Sequence, residues 1–268
     1  MKAAAVGARQ GLLEGRKLWS TLLDEPVTPS GGIVVSGMLA EQLVRELGSG
    51  AAHGTVSVRE GTSAAGAEVV VRVIAGDPSD EDAAVVRTAE REGVPVVLVQ
   101  LWPQAEWTRP FVLTPFVVEC RAGEGFPVSE IAARIADAAE HAPALAARIP
   151  VLRAAVESGV VRGAAIRSAL LAAVASRKGG TRASLALEQA RALSRLRALD
   201  PQAAAAVDPR AAAGIATLVY ASGFAFREAA RTTRGRAPGP LVDAVIAAAG
   251  TWALTRAAQK FQSRIAAS

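Results

Sequence analysis

The sequence predicts an α/β fold: a doubly wound, mostly parallel sheet over residues 30–141, followed by an all-α helical domain over 142–268. Residues 1–29 read as an amphipathic helix and linker. Three observations carry this. Up to about residue 140, short valine- and isoleucine-rich runs alternate with helix-length segments, the pattern of crossover units on a parallel sheet. Beyond residue 142 that alternation stops and apolar residues recur at helical spacing. The charge divides at the same place: 12 Lys and Arg against 19 Asp and Glu up to Glu140, and 18 against 6 after it, so −7 and +12 make the net +5.

Composition sets the outer limits. A chain of 268 residues with 51% hydrophobic content can bury a sizeable core. One cysteine, Cys120, excludes an internal disulfide framework, and two histidines, His53 and His141, are too few for a His-rich metal site. The N-terminus "MKAAAVGARQGLLEGRKLW" breaks its apolar run at Arg9 before a secretory segment is complete. A cytoplasmic location is therefore expected.

In order, the first 23 residues place Leu12, Leu13, Leu18, Trp19, Leu22 and Leu23 at roughly helical spacing against Arg9, Arg16 and Lys17, and Pro26 and Pro29 end that helix. "GGIVVSG" reads as a strand and "MLAEQLVRELG" as a helix closed by Gly48. "GTVSVREG" and "AEVVVRVIAG" are further strands. "DPSDEDAAVVRTAEREG" is a helix that Asp77 or Ser79 can cap, with acids in its first turn and Gly93 as its stop. "VPVVLVQLWPQ" is apolar on both alternating sets of residues, as a strand buried on both faces should be. "FVLTPFVVECRAGEG" and the helix "PVSEIAARIADAAEHA" complete the unit. Four helical segments follow: "ALAARIPVLRAAVESGVVRGAAIRSALLAAVAS", "RASLALEQARALSRLRAL", "PRAAAGIATLVYASGFAFREAART" and "LVDAVIAAAGTWALTRAAQKFQ". Gly159 with Gly163, and Ala247 with Gly250, have the spacing at which helix backbones approach closely, in water or in lipid.

Few residues offer chemistry. Ser36 precedes Gly37 but lacks a nucleophile-elbow motif and reads as a turn residue. Cys120 borders Arg121, which can lower a thiol pKa, but a lone cysteine at a strand end usually serves packing. Asp77, Asp80, Glu81 and Asp82 fit helix-start preference better than a cation site. Trp102 and Trp107 flank Pro103 at the carboxyl ends of the strands, where a doubly wound sheet keeps its ligand crevice. The longest uncharged run, Ala211–Phe226, has 16 residues, fewer than the roughly 20 that cross a bilayer core, and reads as a bundle helix. Arg227, Arg231, Arg234 and Arg236 follow it as expected contacts for an anionic membrane surface, or equally as a solvated helix end. No aromatic residues interleave with these arginines, so nucleic acid is not an expected partner.

Over residues 31–140 the succession of strands and helices resembles a small GTPase-type domain. "AEVVVRVIAGDPSDEDAAVVRTAEREGVPVVLVQLWP" is similar to the segment leading to the base-reading N-K-x-D motif, and "VVECRAGEGFPVSEIAARI" to the last strand, its S-A-K loop and the final helix. The contacts themselves are missing. In the register where Gly37 opens the phosphate loop, Gln42, Leu43 and Val44 replace the glycine, lysine and hydroxyl. Arg59, Glu60 and Gly61 stand without the aspartate of D-x-x-G; Gln100, Leu101, Trp102 and Pro103 occupy N-K-x-D; Glu119, Cys120 and Arg121 occupy S-A-K. The resemblance therefore implies a pseudo-GTPase, not an enzyme, without cofactor or metal. Its relic crevice, with Gly37, Gln100, Trp102 and Trp107, is expected to hold a protein partner.

The helical half resembles the domain of unknown function that follows GTPase domains in bacteria, including YcjF-like inner-membrane proteins. The matching stretches are "SLALEQARALSRL", "YASGFAFREAAR" and "VDAVIAAAGTWALTRAAQKF", with Gly223, Arg227, Glu228, Arg231, Gly250 and Thr251 at the signature positions. "VASRKGGTRASL" departs from the family in being basic. Together the two resemblances imply a scaffold or regulatory protein at the inner face of the membrane, partnered with a related GTPase. The alternative is anchoring or remodelling of a membrane by the basic helical domain.

Overall fold

Five valine-rich segments form the strands of one parallel sheet: β1 (Gly32–Gly37), β2 (Val58–Glu60), β3 (Ala67–Ala75), β4 (Val96–Leu101) and β5 (Val117–Cys120). Their order is β2-β1-β3-β4-β5, and every neighbouring pair runs parallel. A computed structural model of the chain describes residues 31–51, 57–76, 78–103, 115–175, 182–199 and 239–266. The expected α/β architecture is present, with helices α1 (Ala40–Leu47), α2 (Asp80–Arg91) and α3 (Val128–Ala138) on the sheet.

Side chains alternate across a strand, so each strand contributes to two cores. Val34, Val70, Ile74, Val96 and Leu98 pack with Val85, Val86 and Ala89 of α2. The residues between them, Ile33, Val35, Val69, Val71, Val97 and Val99, are buried as well. By alternation these lie on the opposite face, where α1 and α3 touch each other and bury Leu43, Leu47, Ile131 and Ile135. Burial on both faces is what the unbroken apolar run of β4 signals.

β1 lies between two strands, and glycine lets it do so. A Cβ on Gly32 would sit 2.6 Å from Ser57 O, and one on Gly37 would sit 2.0 Å from Val73 O. Gly37 also has φ +101°, which side chains rarely adopt.

The compact unit built on this sheet takes in the chain as far as Glu157. The segment read as one helix from residue 144 is in fact divided: α4 (Ala142–Arg148), a 3₁₀ turn (Pro150–Leu152) and α5 (Arg153–Ala175). Pro150 has no N–H to continue α4, and it disfavours helical geometry at the residue before it; Ile149 is extended. Leu145, Ile149 and Leu152 are fully buried, and Arg148 Nη2 donates to Gly31 O at 2.6 Å. α4 and the turn thus belong with the sheet.

A second unit begins at Ser158 and includes the rest of α5, α6 (Arg182–Arg197) and α7 (Gly239–Ala266). Polar groups occupy its interior. Thr251 Oγ1 donates to Ser168 Oγ at 3.0 Å and accepts from Gln189 Nε2 at 3.2 Å, joining α7 to α5 and α6. All three residues are buried, as is Glu188, which pairs with Arg167. Gly159 has no atom within 4 Å of a Cβ position, and Gly163 meets only the Arg167 guanidinium. Among the described residues, then, neither glycine marks the close helix contact that its spacing suggested. Ile166, Leu170, Val245 and Trp252 are exposed. Among the described residues no helix is long and apolar enough to cross a membrane.

Thr251→Val removes a donor and an acceptor from the buried network at once. Denaturant unfolding followed by circular dichroism should show a loss of about 1–3 kcal/mol; an unchanged midpoint would mean the network contributes nothing to stability.

Candidate functional site

In a sheet of this order the connections change direction between β1 and β3, and ligands of such sheets bind outside the carboxyl ends of the strands at that point. Here that edge is closed tightly. β1 ends at Gly37 and α1 starts at Ala40, so only Met38 and Leu39 connect them. Met38 N donates to Val73 O at 3.3 Å, which holds the connection against β3. Leu39 is the N-cap residue of α1, in the left-handed conformation (φ 56°) and without a side-chain cap.

The end of β4 has the same character. Trp102 follows the last strand residue with φ 53°, its N–H donating to Cys120 O at 2.8 Å. Leu39 and Trp102 are the two non-glycine residues with positive φ among those described. Bulky side chains are rare in that region, which costs on the order of 1–3 kcal/mol each. Both are nevertheless exposed: Leu39 by 48% and Trp102 by 49%, with Met38 beside them at 49%. The carboxyl edge therefore presents an apolar rim on strained backbone.

Beneath the rim lies a polar layer. By alternation Ser36, Arg72 and Gln100 share the face covered by α2. Arg72 is only 5% exposed, in the central strand, and its Nε donates to Asp82 Oδ1 at 2.7 Å while Nη2 reaches Glu81 at 3.4 Å. Asp82 also closes a capping box, accepting from Ser79 N and Ser79 Oγ at 2.7 Å, while its own N–H donates to Ser79 Oγ. Burial pushes the Asp82 carboxyl up, but the Ser79 hydrogen bonds and the Arg72 guanidinium outweigh it and hold the pKa below its ordinary value. The first-turn acids of α2 thus cap the helix and neutralise Arg72. Ser36 Oγ and Gln100 Oε1 are buried here without a protein partner.

Of the residues expected to form a crevice, Gly37 and Trp102 stand at the rim and are exposed. Gln100 does not join them: it is 1% exposed, under α2. Trp107 and Arg227, Arg231, Arg234 and Arg236 lie outside the described residues, as do Asp77, residues 1–30 and the run Ala211–Phe226. Cys120 is buried, and its thiol is pushed up to about 11 by burial, with Glu130 and Glu46 adding to the effect. Arg121 does not activate it as its proximity in sequence suggested. Sequence reasoning missed Met38, Leu39 and the Arg72–Asp82 pair. The one available signal was an arginine inside the otherwise apolar "VVVRVIA", which burial forces to find a carboxylate.

A cavity of about 500 Å³ opens at the opposite, amino edge of the sheet, lined by Glu68, Glu92 and Glu140 beside Pro95 and Ala138. Glu68 is already engaged there, accepting from His141 N at 2.7 Å. No group of three potential metal ligands occurs among the described residues.

Asp82→Asn leaves a buried guanidinium with only the exposed Glu81 as charge partner and should cost roughly 3 kcal/mol in denaturant unfolding, whereas the double change Arg72→Met with Asp82→Leu should cost far less. Folded Asp82 keeps its charge below the ordinary value of 3.8, so its contribution is complete above about pH 4 and is lost as pH falls through the lowered value. Below about pH 4 the wild type should lose this increment and converge toward Asp82→Asn. Parallel acid limbs for the two proteins would overturn the assignment.

No family model, curated protein or solved structure matches the chain.

Proposed function

We propose that the chain is a non-catalytic scaffold or regulatory protein whose α/β unit is a pseudo-GTPase and docks a protein partner at the carboxyl rim. The observation that carries this is the two-residue connection Met38–Leu39 between β1 and α1. A phosphate loop needs several residues between its first glycine and the helix to wrap a phosphate in backbone N–H groups. Two residues leave no such cradle, and both are apolar. Trp102 and Pro103, where a base-reading motif would stand, offer an exposed ring and no carboxylate. Phosphoryl transfer depends on electrostatic stabilisation of its charge, and the described residues of the rim include no lysine for it. Exposed aromatic and aliphatic side chains are instead what anchors a protein interface. A related GTPase, at the inner face of the membrane, is the partner that the resemblance of both halves implies.

A second reading has support of its own. The helical unit exposes Ile166, Leu170, Val245 and Trp252, with Arg256 over the Trp252 ring at 5.8 Å. Apolar residues with arginine on the outer side of helices suit an anionic lipid surface.

Calorimetry with guanine and adenine nucleotides plus Mg²⁺ should show no binding up to millimolar concentrations, and a photo-cross-linking amino acid at position 102 should capture a protein that the same group at exposed Glu90 does not. Mg²⁺-dependent nucleotide binding would sink the proposal. Vesicles containing phosphatidylserine separate the second reading: sedimentation of the protein with them at low salt, released at high salt and lost in Trp252→Ser, would favour the membrane role.

A further inference from the structure

The rim has a charge as well as a shape. Exposed acids surround it: Glu41 in the first turn of α1, Asp80 and Glu81 in the first turn of α2, and Glu119 on β5. In the loop after β5, Arg121 is offset by Glu124. Arg72 is held chiefly by buried Asp82 at 2.7 Å and reaches Glu81 from within at 3.4 Å, which leaves Asp80, Glu41 and Glu119 uncompensated by it. We infer that the rim's occupant is a cationic amphipathic helix of the partner, its apolar ridge seated on Met38, Leu39 and Trp102 and its lysines or arginines facing Asp80, Glu81 and Glu119. This rests on the docking role proposed above and specifies the partner's chemistry.

The spacing fits. β1 and β4 are separated by β3 alone, so their ends lie two strand spacings apart, about 10 Å. Residues i and i+7 of a helix are also about 10 Å apart on one face, with i+3 or i+4 between them. Three half-exposed side chains make a small surface, as transient contacts have. Charge complementarity then supplies encounter rate and discrimination.

The strain makes the inference separable from a structural role. Glycine is at ease at positive φ, so Leu39→Gly and Trp102→Gly relieve the backbone. Residues kept for the fold would not be improved by their own removal; residues kept for binding would.

The probes are two 18-residue helical peptides with leucines at i, i+3 and i+7 positions, one carrying lysines elsewhere and the other glutamates. By fluorescence anisotropy on the full chain, the lysine peptide should bind at least about tenfold more tightly, with affinity falling as salt rises. Leu39→Gly and Trp102→Gly should each weaken it about tenfold while leaving the thermal midpoint unchanged or raised. Glu92→Lys, at the amino-edge cavity, should leave it bound. Asn tolerates positive φ, so Leu39→Asn and Trp102→Asn serve if a glycine variant fails to fold. Loss of the peptide in Glu92→Lys but not in the rim variants would move the site to the other edge and overturn the inference. So would self-association of the chain abolished by Trp102→Gly, which would make a second copy the occupant. If position 102 cross-links a partner yet both peptides bind alike, the cationic assignment alone falls; if it captures nothing and neither peptide binds, the docking role falls with it.

Discussion

An arginine in the central strand of a sheet covered on both faces must be neutralised where it stands, and much of the α/β unit is arranged around that requirement. Arg72 lies between β1 and β4, beyond the reach of solvent. Its partner has to come from the covering layer. Asp82 supplies it from the first turn of α2, and the same carboxylate accepts from Ser79, so one group ends the loop after β3, starts the helix and compensates the buried charge. A pair of this kind seldom adds net stability over apolar side chains of the same volume, but losing one member is costly. Its consequence is positional: the start of α2 is pinned to the carboxyl edge, and Asp80 and Glu81 come with it.

That edge is where a doubly wound sheet ordinarily holds a small ligand, and the chain has spent its conformational freedom there differently. The connection from β1 to α1 is as short as Gly37 permits, since a side chain at that position would collide with Val73 O. Leu39 and Trp102 occupy backbone geometry that favours glycine or asparagine, yet keep large apolar side chains in solvent. The docking role proposed above rests on this strain, next to exposed hydrophobic surface and exposed acids.

The second unit uses polarity in its interior. Ser168 and Gln189 each bond Thr251, across three helices rich in alanine. Small side chains give a helix many similar ways to pack, and directional hydrogen bonds choose among them. Thr251 lies buried where α7 meets α5 and α6.

Among the described residues, the sequence by itself determined the strands and covering helices of the α/β unit and their order. A run such as "VVLVQL" is apolar on both alternating sets of residues, which only a strand covered on two sides requires, and the capping serine and acids of α2 announce its start. It also determined that Gly37 and Trp102 stand at strand ends. What it left open depends on neighbours distant in the chain. Strand order decides that Arg72 is central and that Asp82 lies above it; the cover of α2 decides that Gln100 is buried, whereas Trp102, past the end of β4 and at φ 53°, is exposed. Leu39 was invisible as a site because left-handed geometry at a leucine contradicts its local preference and is imposed by the short turn between a strand pressed on β3 and a helix pressed on the sheet. The extent of the unit was hidden similarly, since Leu145, Ile149 and Leu152 read locally as one more helix and only their packing assigns them to the sheet. Local chemistry specifies what each segment can be, and the tertiary arrangement decides which side chains meet, because that depends on which segments become neighbours.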